Sequence, residues 1–235
     1  MAYMNKGIIY YTNNRIEERI AIVCRKVLLK ACDGIPIVSV SHLPIDFGHN
    51  IVVDLPSCSK SVFKQIIIGL ENCNADVIYL CEHDVLYHSS HFDFIPKAYG
   101  KFYYNQNRWS VDSYTGDALY RTTKAMSCLV AYREVLVDYF TNLLNIISKD
   151  GYKRSVMGFS PGTHNFNGMK INSTRIFKSD YPNVDIRHDD NISGGSFNRV
   201  DFSDREARGW ILSEEVPGWG KTKGRFNEFI GAIGK

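Results

Sequence analysis

The sequence predicts an α/β fold, with a helix-flanked sheet in its first half and a loop-rich second half folded back over that sheet. Three observations predict it. The first 41 residues read strand, helix, strand, an order that joins two parallel strands by a crossover. Val77 to Cys81 (VIYLC) is an unbroken apolar run that stops abruptly at Glu82-His83-Asp84. After Gly151 the texture changes, with more Gly, Asn, Asp and Ser and fewer long apolar runs.

Taken in order, Gly7 to Tyr11 (GIIYY) is a short apolar run feeding the polar cluster Thr12-Asn13-Asn14, which predicts a buried strand and a loop. Asn14 with Glu17 three residues later fits a capped helix start. Ile16, Ile20, Val23, Cys24, Val27, Leu28 and Ala31 then follow at helical spacing until Gly34. Pro36 to Val40 is the next strand. A polar stretch holds Pro44, Gly48 and Pro56. A second helix spans Ser61 to Asn72, with Val62, Ile66, Ile67 and Leu70 on one face. Further strands are predicted at Lys101 to Tyr104 and Met126 to Tyr132. The strongest helix covers Arg133 to Ser148, where Val135, Leu136, Tyr139, Phe140, Leu143, Leu144 and Ile147 keep an unbroken three-four spacing.

Hydrophobic residues are 44% and charged residues 23%, ordinary globular values that argue against a disordered or fibrous chain. A net charge of +3 neither demands a polyanionic partner nor excludes one. None of the six cysteines forms a C-x-x-C pair, and most sit beside apolar runs. They read as reduced thiols used as small hydrophobes. No apolar h-region opens the chain, and no apolar stretch approaches the roughly 20 residues a membrane span needs. A soluble, cytoplasmic protein is expected. No linker, repeat or low-complexity tract divides it, so residues 1–235 are expected to form one domain.

Glu82-His83-Asp84 places two carboxylates one residue apart directly after an apolar strand. Extended alternation would send both to the same side. Like charges so placed repel unless a cation or hydrogen-bonding ligand lies between them. A hard divalent cation carrying phosphate oxygens suits the pair.

The order of strand, helix, strand, helix with Lys64, then VIYLC-EHD resembles the GT-A class of nucleotide-sugar glycosyltransferases. That class carries Asp-x-Asp at the end of a central strand; here Glu82 stands where the first Asp is usual, and Asp84 matches the last. The resemblance covers about residues 7–132. It implies a Rossmann-type mixed sheet flanked by helices, with residues 1–132 as the nucleotide-sugar-binding half and 133–235 as the acceptor side. It implies Mn²⁺ or Mg²⁺ held by Asp84, with Glu82 at the ribose or at the metal through water. Thr12, Asn13 and Asn14 would face the nucleoside, and Lys64 would reach the base or a phosphate, unless it is a solvated helix lysine. The implied donor is a nucleotide-sugar, a UDP-sugar. The acceptor is a hydroxyl of a glycan or of a hydroxymethylated pyrimidine in DNA.

A short strand from Val184 to Arg187 would deliver His188 to the sheet's edge. In the GT-A class a late His or Asp often completes the metal shell, and imidazole beside carboxylate suits Mn²⁺; Asp185 and Arg187 would then support it. His83, His88 and His91 lack the spacing of a zinc site. His83 reads as an orienting group or merely the middle of the motif, and His88 and His91 as caps of the next loop. Phe159-Ser-Pro-Gly-Thr-His164 is a turn that either closes over the donor, with His164 as a candidate catalytic residue, or is an ordinary Pro-Gly turn. Asp117 is a candidate general base in a Gly-containing loop. Tyr103 to Asn107 with Trp109 would line a sugar pocket or form a core strand. The basic run Gly218 to Arg225 reads as a lid, a contact for an anionic acceptor or a solvated tail. Two other functions remain open. A nucleotidyltransferase would want a glycine-rich loop after the first strand, which TNNRIEER is not. A non-catalytic nucleotide- or glycan-binding module would keep only the sheet.

Overall fold

The computed structural model describes residues 4–164, 174–189 and 210–234. Its main sheet has seven strands in the order β10-β6-β9-β4-β1-β2-β3. In chain order these are β1 (Lys6–Thr12), β2 (Ile37–Ser41), β3 (His49–Val52), β4 (Val77–Glu82), β6 (Phe102–Asn105), β9 (Leu129–Tyr132) and β10 (Thr174–Phe177). From β3 to β4 all pairings are parallel, β9 runs against both neighbours, and β10 lies parallel to β6. The sheet is therefore mixed and flanked by helices, as expected from the sequence. Helices α1 (Glu18–Cys32) and α2 (Ser59–Glu71) make the two parallel crossovers. A third helix, α3 (Arg133–Asp150), packs beside α2.

Alternation along β1 distributes its side chains between two layers. Ile9 and Tyr11 meet Val62, Phe63, Ile66 and Leu70 of α2 on one face. Ile8 and Tyr10 meet Leu28, Ala31 and Cys32 of α1 on the other. Gly69 lets α2 lie close to the sheet, because a Cβ there would sit 2.5 Å from Ile9 Cγ2.

A second sheet of five strands, in the order β12-β8-β7-β11-β5, was not foreseen. Its members are β5 (Val85–Leu86), β7 (Arg108–Asp112), β8 (Ala118–Tyr120), β11 (Asn183–Arg187) and β12 (Ile211–Ser213). Most are two or three residues long and carry too little pattern to be read. Ile20, Val23 and Cys24 of α1 pack against Leu86, Val111, Val184 and Ile186 of this sheet. Helix α1 is thus buried on two sides, between two sheets. The C-terminal helix, Phe226–Ile233, closes the same cluster through Phe226, Phe229 and Ile230.

Several local expectations need correction. Asn14 does not cap α1, because it sits at φ 57° and its Oδ1 accepts from the His42 and Leu43 amides instead. The strand expected from Met126 begins at Leu129, since Met126–Cys128 forms a 3₁₀ turn. Strand β3 lies in the polar stretch read as loop; it is a partly exposed edge strand with no apolar run. Tyr103, Tyr104, Asn105 and Trp109 are buried, so the aromatic-amide patch belongs to the core. The basic C-terminal run folds as part of a two-stranded ribbon, β13 (Glu215–Val216) with β14 (Gly220–Lys221), and Thr222 is fully buried. All six cysteines are free thiols, and only Cys58 is exposed.

His91 ends the 3₁₀ turn Ser89–His91 that His88 caps through its Nδ1, and it is fully buried. Its ring stacks on Phe177 at 5.9 Å and contacts Tyr79, Tyr87 and Phe92. Asn105 Oδ1 accepts from the Asn107 and Ser179 amides, so its Nδ2 donates to His91 Nδ1. The proton of a neutral ring therefore sits on Nε2. Burial lowers this imidazole's pKa to about 3. The unfolded chain then binds a proton that the folded chain refuses, so stability falls as pH drops below about 6.5 toward 3. At pH 5 the loss is about 2 kcal/mol. His91→Phe is expected to lose less Tm than the parent between pH 7 and pH 5, measured by circular dichroism. Parallel curves would exclude this origin of acid sensitivity.

Candidate functional site

Strand β4 ends at Glu82, and the chain leaves the main sheet there. His83 and Asp84 form a turn, and the chain enters the second sheet as β5. Extended alternation therefore stops at Glu82, and residues 82 and 84 do not share a side as expected. Instead β5 pairs antiparallel with β11, with Val85 opposite Asp185 and Leu86 opposite Val184. The Ile186 amide donates to the Asp84 carbonyl at 2.7 Å. This pairing carries the end of β11 up to the turn and sets His188 beside Asp84.

The result is a cluster of His83, Asp84 and His188, whose ligand atoms all lie within 4.8 Å of one another. His188 Nε2 is 3.6 Å from Asp84 Oδ2, and the rings of His83 and His188 are 6.0 Å apart. Asp84 and His188 are buried, and His83 is half-buried. Burial alone would raise the Asp84 pKa. The adjacent His188 and His83 imidazoles and the charge of Arg187 outweigh it and hold the carboxyl below its usual range. Burial lowers the His83 pKa and keeps that imidazole neutral. An ionised carboxylate beside an uncharged imidazole is the state that binds a metal.

Glu82 lies outside this cluster. It stands opposite Tyr11 in the β1–β4 register, and its Oε1 accepts from the Tyr11 hydroxyl at 2.6 Å. Its surroundings, and then the charge of Asp84, push its carboxyl well above the ordinary value. Two neighbouring acids are thus driven apart, one ionised and one favouring its proton.

Of the residues expected at the nucleoside, Thr12 and Asn13 are buried at the carboxyl end of β1. Thr12 Oγ1 lies 2.5 Å from His83 Nδ1 and also accepts from the Asn14 amide at 2.9 Å. Asn13 Nδ2 donates to Ser57 Oγ at 2.9 Å. Gln65 of α2 secures this loop end by donating to the Thr12 and Val40 carbonyls, while its neighbour Lys64 faces solvent.

Asp117 sits in the β7–β8 turn, 3.7 Å from Lys223. Gly116 in that turn has φ 71°, and a Cβ there would lie 2.0 Å from the Thr222 carbonyl. His164 is exposed at the end of a loop anchored by the Tyr104 hydroxyl, which donates to the Pro161 carbonyl, and by Phe159 packed on Phe63. Neither joins the cluster.

Two supports were missed or only half seen in the sequence. Arg108, almost wholly buried, donates to Asp185 Oδ2 and to Thr123 Oγ1. Arg187 lies 3.8 Å from the other Asp185 oxygen. Asp185 and Arg187 were singled out in the sequence as neighbours of His188, and the contacts here join Asp185 to Arg108 and Arg187. Arg108 was not, because its partner lies 77 residues away. A groove of about 1520 Å³, lined in part by Lys6, Pro36, Cys73, Phe92 and Tyr132, opens near the amino ends of β1 and β2 and contains none of these site residues.

No protein-family model and no curated protein matches the sequence. Among solved structures, the chain is similar to a glycosyltransferase involved in the glycosylation of the major capsid of PBCV-1. The identity is 6%, the TM-score 0.48, and the match covers 74% of this chain and 81% of that one. It is also similar to the bifunctional IspDF from Campylobacter jejuni, at 9% identity and a TM-score of 0.41, over 75% of this chain and 50% of that one. Neither likeness extends to residue roles. Among the described residues no helix is long and apolar enough to cross a membrane.

The buried ion pair gives a stability test. Arg108→Met would leave Asp185 deprived of its closest charge partner, a change that typically costs about 3–5 kcal/mol. The double variant Arg108→Met/Asp185→Leu is expected to recover most of that loss in urea unfolding. A double variant as unstable as the single one would show that the pair is not the source.

Proposed function

We propose that this chain is a metal-dependent glycosyltransferase that moves a sugar from a nucleotide-sugar donor, a UDP-sugar, to a hydroxyl acceptor. The observation that carries the reading is the His83–Asp84–His188 cluster at the carboxyl end of β4, beside the polar loop that follows β1. Ligands of open α/β sheets collect at the carboxyl ends of the strands. The donor set of two imidazoles and one carboxylate fits a divalent cation, and it suits Mn²⁺ better than Mg²⁺. When bound, such an ion stabilises the negative charge that develops on a departing nucleoside diphosphate.

The chain's own residues have separable parts in this reading. Asp84, His83 and His188 hold the ion. Thr12 fixes the His83 ring through Nδ1, which turns Nε2 toward the cluster. Asn13 and Asn14, in the loop after β1, contact the nucleoside in this reading. Glu82, tied to Tyr11 and outside the cluster, takes the ribose in this reading. Residues 1–132 bind the donor and 133–235 form the acceptor side of one domain. The acceptor is a glycan or a hydroxymethylated pyrimidine in DNA. Six free thiols suit the reducing cytoplasm.

The direct test is a donor screen with Mn²⁺ and each common nucleotide-sugar, reading nucleoside diphosphate release. Release from a UDP-sugar that Asp84→Asn abolishes, with Tm unchanged, is the expected outcome. Turnover by Asp84→Asn near the parent rate at saturating Mn²⁺ would refute the metal reading.

A second expectation concerns linkage. Three protein ligands leave open coordination positions for phosphate oxygens. Mn²⁺ with UDP should therefore raise Tm more than the two raise it separately. Ligand at a hundredfold its Kd contributes about 2.7 kcal/mol. Strictly additive shifts would argue against a shared ion.

A further inference from the structure

The turn between β7 and β8 borders the metal cluster. Asp112 stands opposite Arg187 in the β7–β11 register, and the Ser113 amide donates to the Arg187 carbonyl at 3.0 Å, which carries that register past the ends of the strands. The next residue, Tyr114, donates from its hydroxyl to Asp189 Oδ2 at 2.6 Å. Asp189 is joined to His188 by one peptide bond, so the Tyr114–Asp189 pair stands at the rim of the cluster. Tyr114 is 70% exposed, the most of any large hydrophobic side chain among the described residues. Its backbone is nonetheless fixed. Asp112 Oδ1 accepts from the Tyr114 and Thr115 amides, both at 2.9 Å. The Gly116 amide donates to the Asp112 carbonyl at 2.8 Å, and the Gly224 amide to the Thr115 carbonyl at 2.9 Å.

We infer that Tyr114 and Asp189 form the acceptor subsite, and that the acceptor is a neutral glycan rather than DNA. The inference rests on the transferase reading for its ion and its donor. A ring on a rigid turn, tied at its hydroxyl, loses little conformational freedom when a ligand covers it. The C–H groups on one face of a pyranose complement the negative face of an aromatic ring. A carboxylate accepts from several hydroxyl groups at once and repels a phosphate chain. Asp189 at this rim therefore favours a polyhydroxyl ligand over a polyanion. The donor sugar is tethered to the ion through its diphosphate, whereas an acceptor arrives untethered and needs a surface of its own. The loop after β1 adjoins the cluster through His83, and Tyr114 adjoins it through the His188–Asp189 segment, so nucleoside and acceptor have separate surfaces.

The test is saturation-transfer NMR of the full chain in EDTA with the methyl glycosides of glucose, galactose, mannose and N-acetylglucosamine, so that neither metal nor donor enters the measurement. At least one glycoside is expected to bind saturably, with the strongest transfer to the protons of one ring face. Tyr114→Ala is expected to weaken that binding about fivefold with Tm unchanged, and Tyr114→Trp, which keeps a ring without the hydroxyl, to retain it. No saturable glycoside binding, or equal binding by Tyr114→Ala, would overturn the inference. Tyr114-dependent binding of uridine or of a hydroxymethylcytosine strand, with none of a glycoside, would overturn the choice of ligand. Displacement of the glycoside by UDP-glucose with Mn²⁺ would assign the surface to the donor sugar instead. The two readings fail separately. Nucleoside diphosphate release without glycoside binding removes this subsite and leaves the transferase. Glycoside binding that depends on Tyr114, without turnover of any donor, leaves a glycan-binding surface and removes the transfer.

Discussion

The antiparallel pairing of β5 with β11 is the constraint on which the site depends. It is only two residues long, extended by the Ile186 amide on the Asp84 carbonyl. Without it the chain after β4 would end in a solvated acidic turn, and His188 would be the tail of an unrelated strand. With it, residues 104 positions apart are locked in one hydrogen-bonded register, and the imidazole has no choice of partner. The two residues of β5 are buried, so the register cannot slip without exposing Leu86 or burying a charge.

That short joint holds because larger pieces hold it. Helix α1 is apolar on two sides and fills the space between the sheets, with Leu28 and Cys32 toward one and Ile20, Val23 and Cys24 toward the other. Beneath the joint, Arg108 neutralises Asp185 on β11, the residue directly opposite Val85. A buried pair of this kind adds little net stability against an apolar substitute, but losing one member is costly. It therefore fixes how β7 and β11 meet more than how strongly they meet.

The electrostatics follow from the same geometry. Glu82 is the last residue in the main sheet and shares the Tyr11 hydroxyl. Asp84 is the first residue across the joint and shares the fields of His83, His188 and Arg187. One carboxyl is pushed toward its neutral form and the other is held ionised, though they are two residues apart. Environment rather than residue type assigns the roles: burial, and then the charge of Asp84, disfavours ionised Glu82 against the Tyr11 hydrogen bond, while the imidazoles and Arg187 favour ionised Asp84.

The sequence by itself determined the main sheet's parallel core. Apolar runs such as GIIYY and VIYLC, and three-four spacing across Val135 to Ile147, are local patterns with a period that burial imposes. It also marked Asp84 and His188 as ends of strands, and Thr12 to Asn14 as a polar loop at a third. The tertiary structure alone decided what those ends do to one another. It exchanged Glu82 for His83 in the cluster, because the chain turns at 83 instead of continuing extended. It turned Asn14 from a helix cap into a loop anchor and folded the basic C-terminal run into a ribbon. It built the second sheet by pairing β11, which was legible, with segments across distances at which a single sequence holds no register. The sequence records what each segment buries; which segments meet is set by the packing of α1 between two sheets and by the few hydrogen bonds that close the joint.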